Sequence, residues 1–412
     1  MRKLSYIGVD DAIEKLVNMV KKRMASEEIS PEDAYGRILA ESIVSTSDVP
    51  PRDISHFDGY AVRSEDVSSA SRAKLVSLKI KGEIRLGDTV SYTLESGETY
   101  KVFTGSFLPK NSDAVVMKER VKYEDDMVML HLPLAKGENI VPAGRDVSAG
   151  ETVLNKGHMV RAQDLGLFEI LNIACVKVVQ KPKVAILSVG DELIEQTKRI
   201  GKTATSHARV IAKLVEEAGG TSEILEIAPD DAPKICLRIK EGLAVADVLM
   251  TIGGASIGER DFIADAINSL GKPGIVFHGL KISPGRVAGF GIIDEKPVII
   301  LPGLIQSTYV GFRVLVLPLI RIISGVNQID SQYLLKAQLQ SSVHYKKFLP
   351  FRKVTFVKIS KMKGKFLAEP ITGISSMISV LVKADGFIIV PENIAFLENG
   401  KEVEIYLFPF LQ

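Results

Sequence analysis

The stretch Lys183-Val-Ala-Ile-Leu-Ser-Val-Gly-Asp-Glu-Leu193 decides the fold. Its run from Val184 to Ser188 is uniformly apolar up to a terminal serine, which predicts a strand buried on both faces, followed at once by a glycine turn carrying two acids. The chain beyond it alternates in kind. Helix is predicted over His207 to Ala218, Ala232 to Leu243, Phe262 to Leu270 and Tyr309 to Ile323, and strand over Glu223 to Ile227, Val248 to Ile252 and Val298 to Leu301. Apolar strands separated by helices predict a doubly wound parallel sheet over residues 178–326, with right-handed crossovers.

In open α/β sheets, ligands gather at the carboxyl ends of the strands, where glycine turns and helix N-termini offer N–H groups to anions. Four turns of this chain fall there or beside it. The first holds Ser188 and Gly190; the second holds Gly253, Gly254, Ser256 and Gly258. The third holds Pro284, Gly285 and Arg286, and the fourth Pro302, Gly303 and Ser307. Each alone is as consistent with a plain structural turn as with a ligand cradle. Glu192, Asp230 and Asp261 each follow a predicted strand of the same sheet, so the fold brings them to one rim. An acidic rim beside anion-binding turns is self-repelling unless a divalent cation bridges them, and hard oxygen ligands favour Mg2+. Helix capping accounts equally for each acid taken singly.

Outward from this sheet the chain changes character twice. Residues 1–45 contain an amphipathic helix over Asp10 to Met24 and a second, short one near Pro31 to Ala40. Residues 46–146 break into short β runs between Gly, Asn, Asp and Ser turns, which predicts an inserted β-rich domain. It includes the dense string Pro50 to Arg63, in which Asp58-Gly59 is taken as a turn exposing the acid, and a glycine-bounded segment that ends on Asp146. Helical periodicity returns in residues 147–177, so these and residues 1–45 are assigned to one elongated helical domain. Residues 327–412 alternate without helices and predict a small C-terminal β barrel.

The 412 residues exceed what a single core holds, roughly 250 to 300. With 46% hydrophobic and 25% charged residues the chain is globular, and a net charge of +2 gives no global case for nucleic acid or an anionic membrane. No unbroken apolar run of about 18 residues occurs, so a cytoplasmic location and no membrane association are expected. The two cysteines, Cys175 and Cys236, sit in apolar periodic contexts and are expected to be buried thiols. None of the six histidines has a partner at i+4, which disfavours zinc and nucleophilic chemistry.

Taken in order, FDGYAVR (57–63), FTGSFLPKNSDAVV (103–116), GENIVPAGRDVSAG (137–150), SVGDEL (188–193), EEAGG (216–220), GGASIGERDF (253–262), FHGLKISPGR (277–286) and LPG (301–303) resemble the molybdopterin molybdenumtransferases, the MoeA proteins, which include the E domain of gephyrin. The resemblance runs through nearly the whole chain. It implies a four-domain subunit that forms a homodimer and replaces the adenylate of adenylyl-molybdopterin with molybdate, releasing AMP with the help of Mg2+ or a similar ion. It further implies a molybdopterin adenylyltransferase upstream and cofactor-processing proteins downstream. By motif position it makes Asp58, Thr104, Asp146, Glu192, Asp230 and Asp261 functional polar residues, with Asp58, Glu192, Asp230 and Asp261 catalytic. Asp146, Glu192, Asp230 and Asp261 would be the metal set, and the Asp58 loop would cross to the partner subunit's site. The chain departs from the family at Ile54, Thr205, His207, Gly279 and Ser283, and in the PGLIQS turn (302–307). An active transferase, a non-catalytic molybdopterin-binding paralogue or scaffold, and a tungstate-handling variant all remain open at this point.

Overall fold

The computed structural model describes residues 5–89, 91–194, 203–204, 206–254, 261–326, 334–345, 347 and 349–408. Its centre is a six-stranded sheet in the order Thr221–Ile224, Lys183–Val189, Val248–Gly253, Lys296–Leu301, Gly289–Ile293, Pro273–His278. The first four strands are parallel, with Val184 opposite Val248 and Leu249 opposite Val298. The last two run antiparallel, so the sheet is mixed where an all-parallel one was expected. That hairpin escaped the sequence reading because its strands carry glycines at 274, 289 and 291 and flank a turn. A Cβ at Gly291 would stand 2.9 Å from the Gly274 carbonyl, so the pair closes only without side chains there.

Alternate residues of the parallel strands feed two cores. Ile186, Met250 and Ile299 face Ile211, Val215 and Leu315 on one side. Ala185, Leu187, Leu249 and Ile300 face Ile235, Ile239, Ile263 and Ile267 on the other. Helices Ser206–Glu217, Ala232–Val245 and Phe262–Leu270 lie within a few residues of their predicted bounds. The last helical element, Ile305–Ile323, is long and apolar enough to cross a membrane, but 83% of it is buried inside the protein, as in a core helix. It is not an unbroken apolar run, since Gln306, Ser307, Thr308, Arg313 and Arg321 interrupt it. The element winds as a π-turn over Phe312–Val316, just before Pro318, whose ring excludes an ordinary i−4 hydrogen bond.

The N-terminal helix, Val9–Met19, belongs to this unit rather than to the N-terminal element: Val9, Ala12, Leu16 and Val20 enter the first core. What joins the two predicted helical stretches is β structure. Ser26–Ile29 pairs antiparallel with Val176–Val179, and Ile43–Val44 with Thr152–Leu154. One helix, Ala162–Ile170, closes their small core around Phe168. The helix expected near residues 31–40 is a single 3-10 turn, Pro31–Ala34. Cys175 is exposed, contrary to expectation, because it precedes the strand whose Val176 and Val178 point inward.

The inserted module is a six-stranded sheet in the order Ala114–Met117, Gly59–Val62, Glu98–Val102, Val76–Ile84, Met127–Leu130, Val121–Glu124. At the C-terminus, Arg352–Met362, Lys365–Pro370, Leu334–Leu339, Glu402–Leu407 and Gly386–Val390 pair in sequence, and Gly386–Val390 returns to Arg352–Met362. This is the small closed barrel the alternating pattern predicted.

Candidate functional site

Strand Lys183–Val189 delivers Ser188, nearly fully buried, and then Gly190, whose N–H donates to the Ala228 carbonyl at 3.1 Å. The next residue, Asp191, was read from the sequence as one of the turn's two acids but not as a site residue. Its N–H donates to Asp230 Oδ2 at 3.3 Å, while the Asp230 N–H donates to Asp191 Oδ1 at 3.1 Å. This reciprocal pair fixes the first turn against the one after Thr221–Ile224. Asp231 rather than Asp230 caps helix Ala232–Val245, so capping does not explain Asp230. Glu192 is exposed and folds back over Gly190, its carboxylate oxygens 2.6 Å from where a Cβ there would stand.

Gly253 ends the next strand with φ +86°, and a Cβ on it would come 2.4 Å from the Val189 carbonyl oxygen. Only glycine permits both the conformation and the approach. Gly254 continues the turn beside Ile263 and Val189; Ser256 and Gly258 lie outside the described residues. A Cβ on Gly303 would stand 3.5 Å from the Gly253 Cα, so the fourth turn abuts the second. His207, in the first turn of helix Ser206–Glu217, hydrogen-bonds the Gly303 backbone; burial holds its pKa below the ordinary value, only partly offset by that bond. Pro284 and Gly285 form the third turn, where a Cβ on Gly285 would lie 3.7 Å from the Ser307 carbonyl. Arg286 is half-buried there, and its carbonyl accepts from Leu280 N–H. The second, third and fourth turns therefore meet around Pro302, Gly303 and Ser307. Beside the first turn opens a cleft of about 230 Å³ lined by Ser188, Ala208, Arg209, Glu226 and Ile227. Arg209 and Glu226 carried no motif that would have singled them out.

Asp261 caps helix Phe262–Leu270 by accepting from Ala264 N–H at 3.1 Å. Its other oxygen lies 2.9 Å from His278 Nδ1. His278 is 17 residues downstream on another strand, beyond the reach of any local spacing rule. Among the described residues no three His, Cys, Asp or Glu side chains converge as a metal-binding group. Asp146, Glu192, Asp230 and Asp261 are thus not preassembled as the metal set named from the sequence. Asp146 lies in the inserted module's closing segment, exposed, with its N–H donating to Val49.

The module presents a different acid. Asp58 accepts from the Thr104 backbone N–H at 3.1 Å, from Lys118 Nζ at 3.0 Å and from the Thr104 hydroxyl at 3.0 Å. These donors, the backbone N–H foremost, hold its carboxyl at about 2. Lys118, 60 residues from Asp58, was invisible in the sequence. Gly59 is not the turn glycine expected. It opens strand Gly59–Val62, where a Cβ would meet the Val116 carbonyl at 2.0 Å.

Comparison with known proteins accounts for nearly the whole chain. Three family models match in order: the MoeA N-terminal region, domains I and II, over residues 7–171; a probable molybdopterin-binding domain over 185–322; and the MoeA C-terminal region, domain IV, over 336–408. A putative molybdopterin biosynthesis protein of Methanocaldococcus jannaschii is 34% identical, covering 96% of this chain and 95% of its own. A Bacillus subtilis protein named molybdopterin molybdenumtransferase is 30% identical, covering 99% and 95%. The crystal structure of a MoeA molybdopterin biosynthesis protein from Pyrococcus horikoshii superposes with a TM-score of 0.84 at 32% identity, covering 99% of this chain and 100% of that one. With domains in matching order, full-length identity and a shared fold, the chain belongs to the MoeA family of molybdenum cofactor biosynthesis.

Proposed function

We propose that the protein is a molybdopterin molybdenumtransferase, exchanging the adenylate of adenylyl-molybdopterin for molybdate and releasing AMP. The observation that carries this is the meeting of the glycine turns at Gly253, Gly285 and Gly303, beside the Ser188 cleft. Such a surface offers backbone N–H groups and the Arg286 and Arg209 cations to a phosphate-linked ligand. Ser188, Ser307 and the turns hold and orient the substrate; the exposed Thr104 and the half-buried Asp58, which Thr104 and Lys118 hold in place, would complete the site on the partner subunit of a homodimer. Asp58, Glu192, Asp230 and Asp261 are the acids proposed to act in the reaction.

Mg2+ fits in one mode. It is commonly held by one or two carboxylates plus substrate phosphates, which suits the exposed Glu192 and the Asp191–Asp230 pair better than a full protein cage. When bound, the ion neutralises charge on the phosphate linkage. Asp146 remains a candidate only through its exposed position. Supply of the substrate by an adenylyltransferase, delivery to cofactor-processing proteins and a cytoplasmic setting belong to the same proposal.

One observation favours binding without turnover: in the PGLIQS turn Leu304 stands 50% exposed, an apolar side chain on a surface otherwise rich in donors. The test is AMP release from adenylyl-molybdopterin with molybdate and Mg2+. Release by wild type above an Asp58→Ala, Glu192→Ala control is expected; equal rates would leave only the binding reading, and the same assay with tungstate checks oxyanion choice.

A further inference from the structure

His278 ends strand Pro273–His278 and contacts one residue in each of two other segments. Nε2 lies 3.0 Å from the Val287 carbonyl, immediately after the 283–286 turn. Nδ1 lies 2.9 Å from Asp261 Oδ2, immediately before helix Phe262–Leu270. The Val287 carbonyl can only accept, so Nε2 donates to it, while Nδ1 stands within hydrogen-bond distance of the Asp261 carboxylate. The ring has little freedom to do otherwise. His278 is 9% exposed, and a Cβ on Gly289 would stand 3.0 Å from its Cδ2, so the imidazole lies against bare backbone. Asp261 is 17% exposed and has each oxygen engaged inside the chain, one by Ala264 N–H and one by the ring.

We propose that His278 is a positioning residue that fixes Asp261 against the 283–286 turn, so that acid and ligand-side turn keep one spacing when substrate binds. Asp261 then acts through its fixed place. The inference rests on the transferase reading and deepens it, since it makes the joint between two turns a determinant of substrate affinity. A capping role for Asp261 requires only the Ala264 contact; the second contact is what the proposal explains.

The two ring nitrogens can be tested separately. An Asn amide reaches the position of Nδ1 and retains a donor to Asp261, whereas a Gln amide reaches that of Nε2 and retains only the Val287 contact. His278→Gln is expected to raise KM for adenylyl-molybdopterin about tenfold, the loss of one hydrogen bond to the Asp261 carboxylate, with kcat within about threefold of wild type. His278→Asn should recover KM to within about threefold. In the double variant His278→Gln, Asp261→Asn, the effect should be no larger than that of the worse single variant, because both act through one contact. An unchanged KM in His278→Gln, an Asn variant no better than the Gln variant, or effects that multiply in the double variant would each overturn the proposal. If wild type releases no AMP, the transferase reading fails. The same series read as adenylyl-molybdopterin affinity by calorimetry then decides this inference, and absence of any binding ends both.

Discussion

The two acidic corners of this protein, Asp58 on the inserted module and Asp261 on the α/β rim, are built by the same device and held in opposite ways. Gly59, next to Asp58, lets its strand press against the Val116 carbonyl, and Gly253, ending the strand that precedes the Asp261 helix, presses against the Val189 carbonyl. Around Asp58 the donors are three and the site is open; around Asp261 the partners are a helix N-terminus and a ring, and the site is largely closed. An open acid with a fixed charge suits a group presented to something arriving from outside. A closed one suits a group whose position matters more than its availability.

The largest effect that separates the corners should come from their glycines. Gly253→Ala must relieve a 2.4 Å contact and a φ of +86° together, and should cost the α/β unit about 3 kcal/mol. Gly59→Ala meets a closer carbonyl, at 2.0 Å, but no left-handed backbone, and an edge of the module can splay to admit it. Calorimetry should therefore show the larger loss in Gly253→Ala. A larger loss in Gly59→Ala would reverse the ranking of the two corners.

A smaller effect concerns the open corner alone. Thr104→Val deletes the hydroxyl donor to Asp58 but keeps the backbone N–H. AMP release should fall about tenfold with unchanged melting, since an exposed hydrogen bond contributes little to the fold but orients the acid. Unchanged release would mean that the backbone donor suffices.

The smallest is a titration. Asp58 sits at about 2 against an ordinary 3.8, so its contribution to stability is present above about pH 4 and is lost as pH falls through 2. Lys118→Met should raise that carboxyl only part of the way, because the Thr104 N–H remains the foremost cause. Carboxyl NMR titration would read the shift directly. A return to 3.8 would make Lys118, not the backbone, the main determinant of the corner.

The contrast also explains what the sequence could and could not disclose. The parallel strands and their helices were legible because burial on both faces writes an apolar run, and a helix writes its period. The hairpin Pro273–His278 and Gly289–Ile293 was not, since its pairing depends on the absence of side chains. Val9–Met19 was recognisable as amphipathic, but nothing in its pattern names the surface it covers. At the site, Asp58, Thr104 and Asp261 stood out through motif order, whereas Lys118 and His278 emerge only from contacts across 60 and 17 residues. Spacing rules recover what one element arranges; partners supplied by another element leave no local trace.

The inserted module hangs from paired strands: Ile43–Val44 leaves beside Thr152–Leu154, and Val49 lies opposite Val147. Its entry and exit are therefore side by side, as in a cartridge clipped into a socket. Residues between them can lengthen, shorten or be exchanged while the chain on either side keeps its path. In the homodimer proposed above, the reach of Asp58 is in that sense a separately adjustable dimension of the molecule, open to evolution or to engineering without disturbing the sheet it serves.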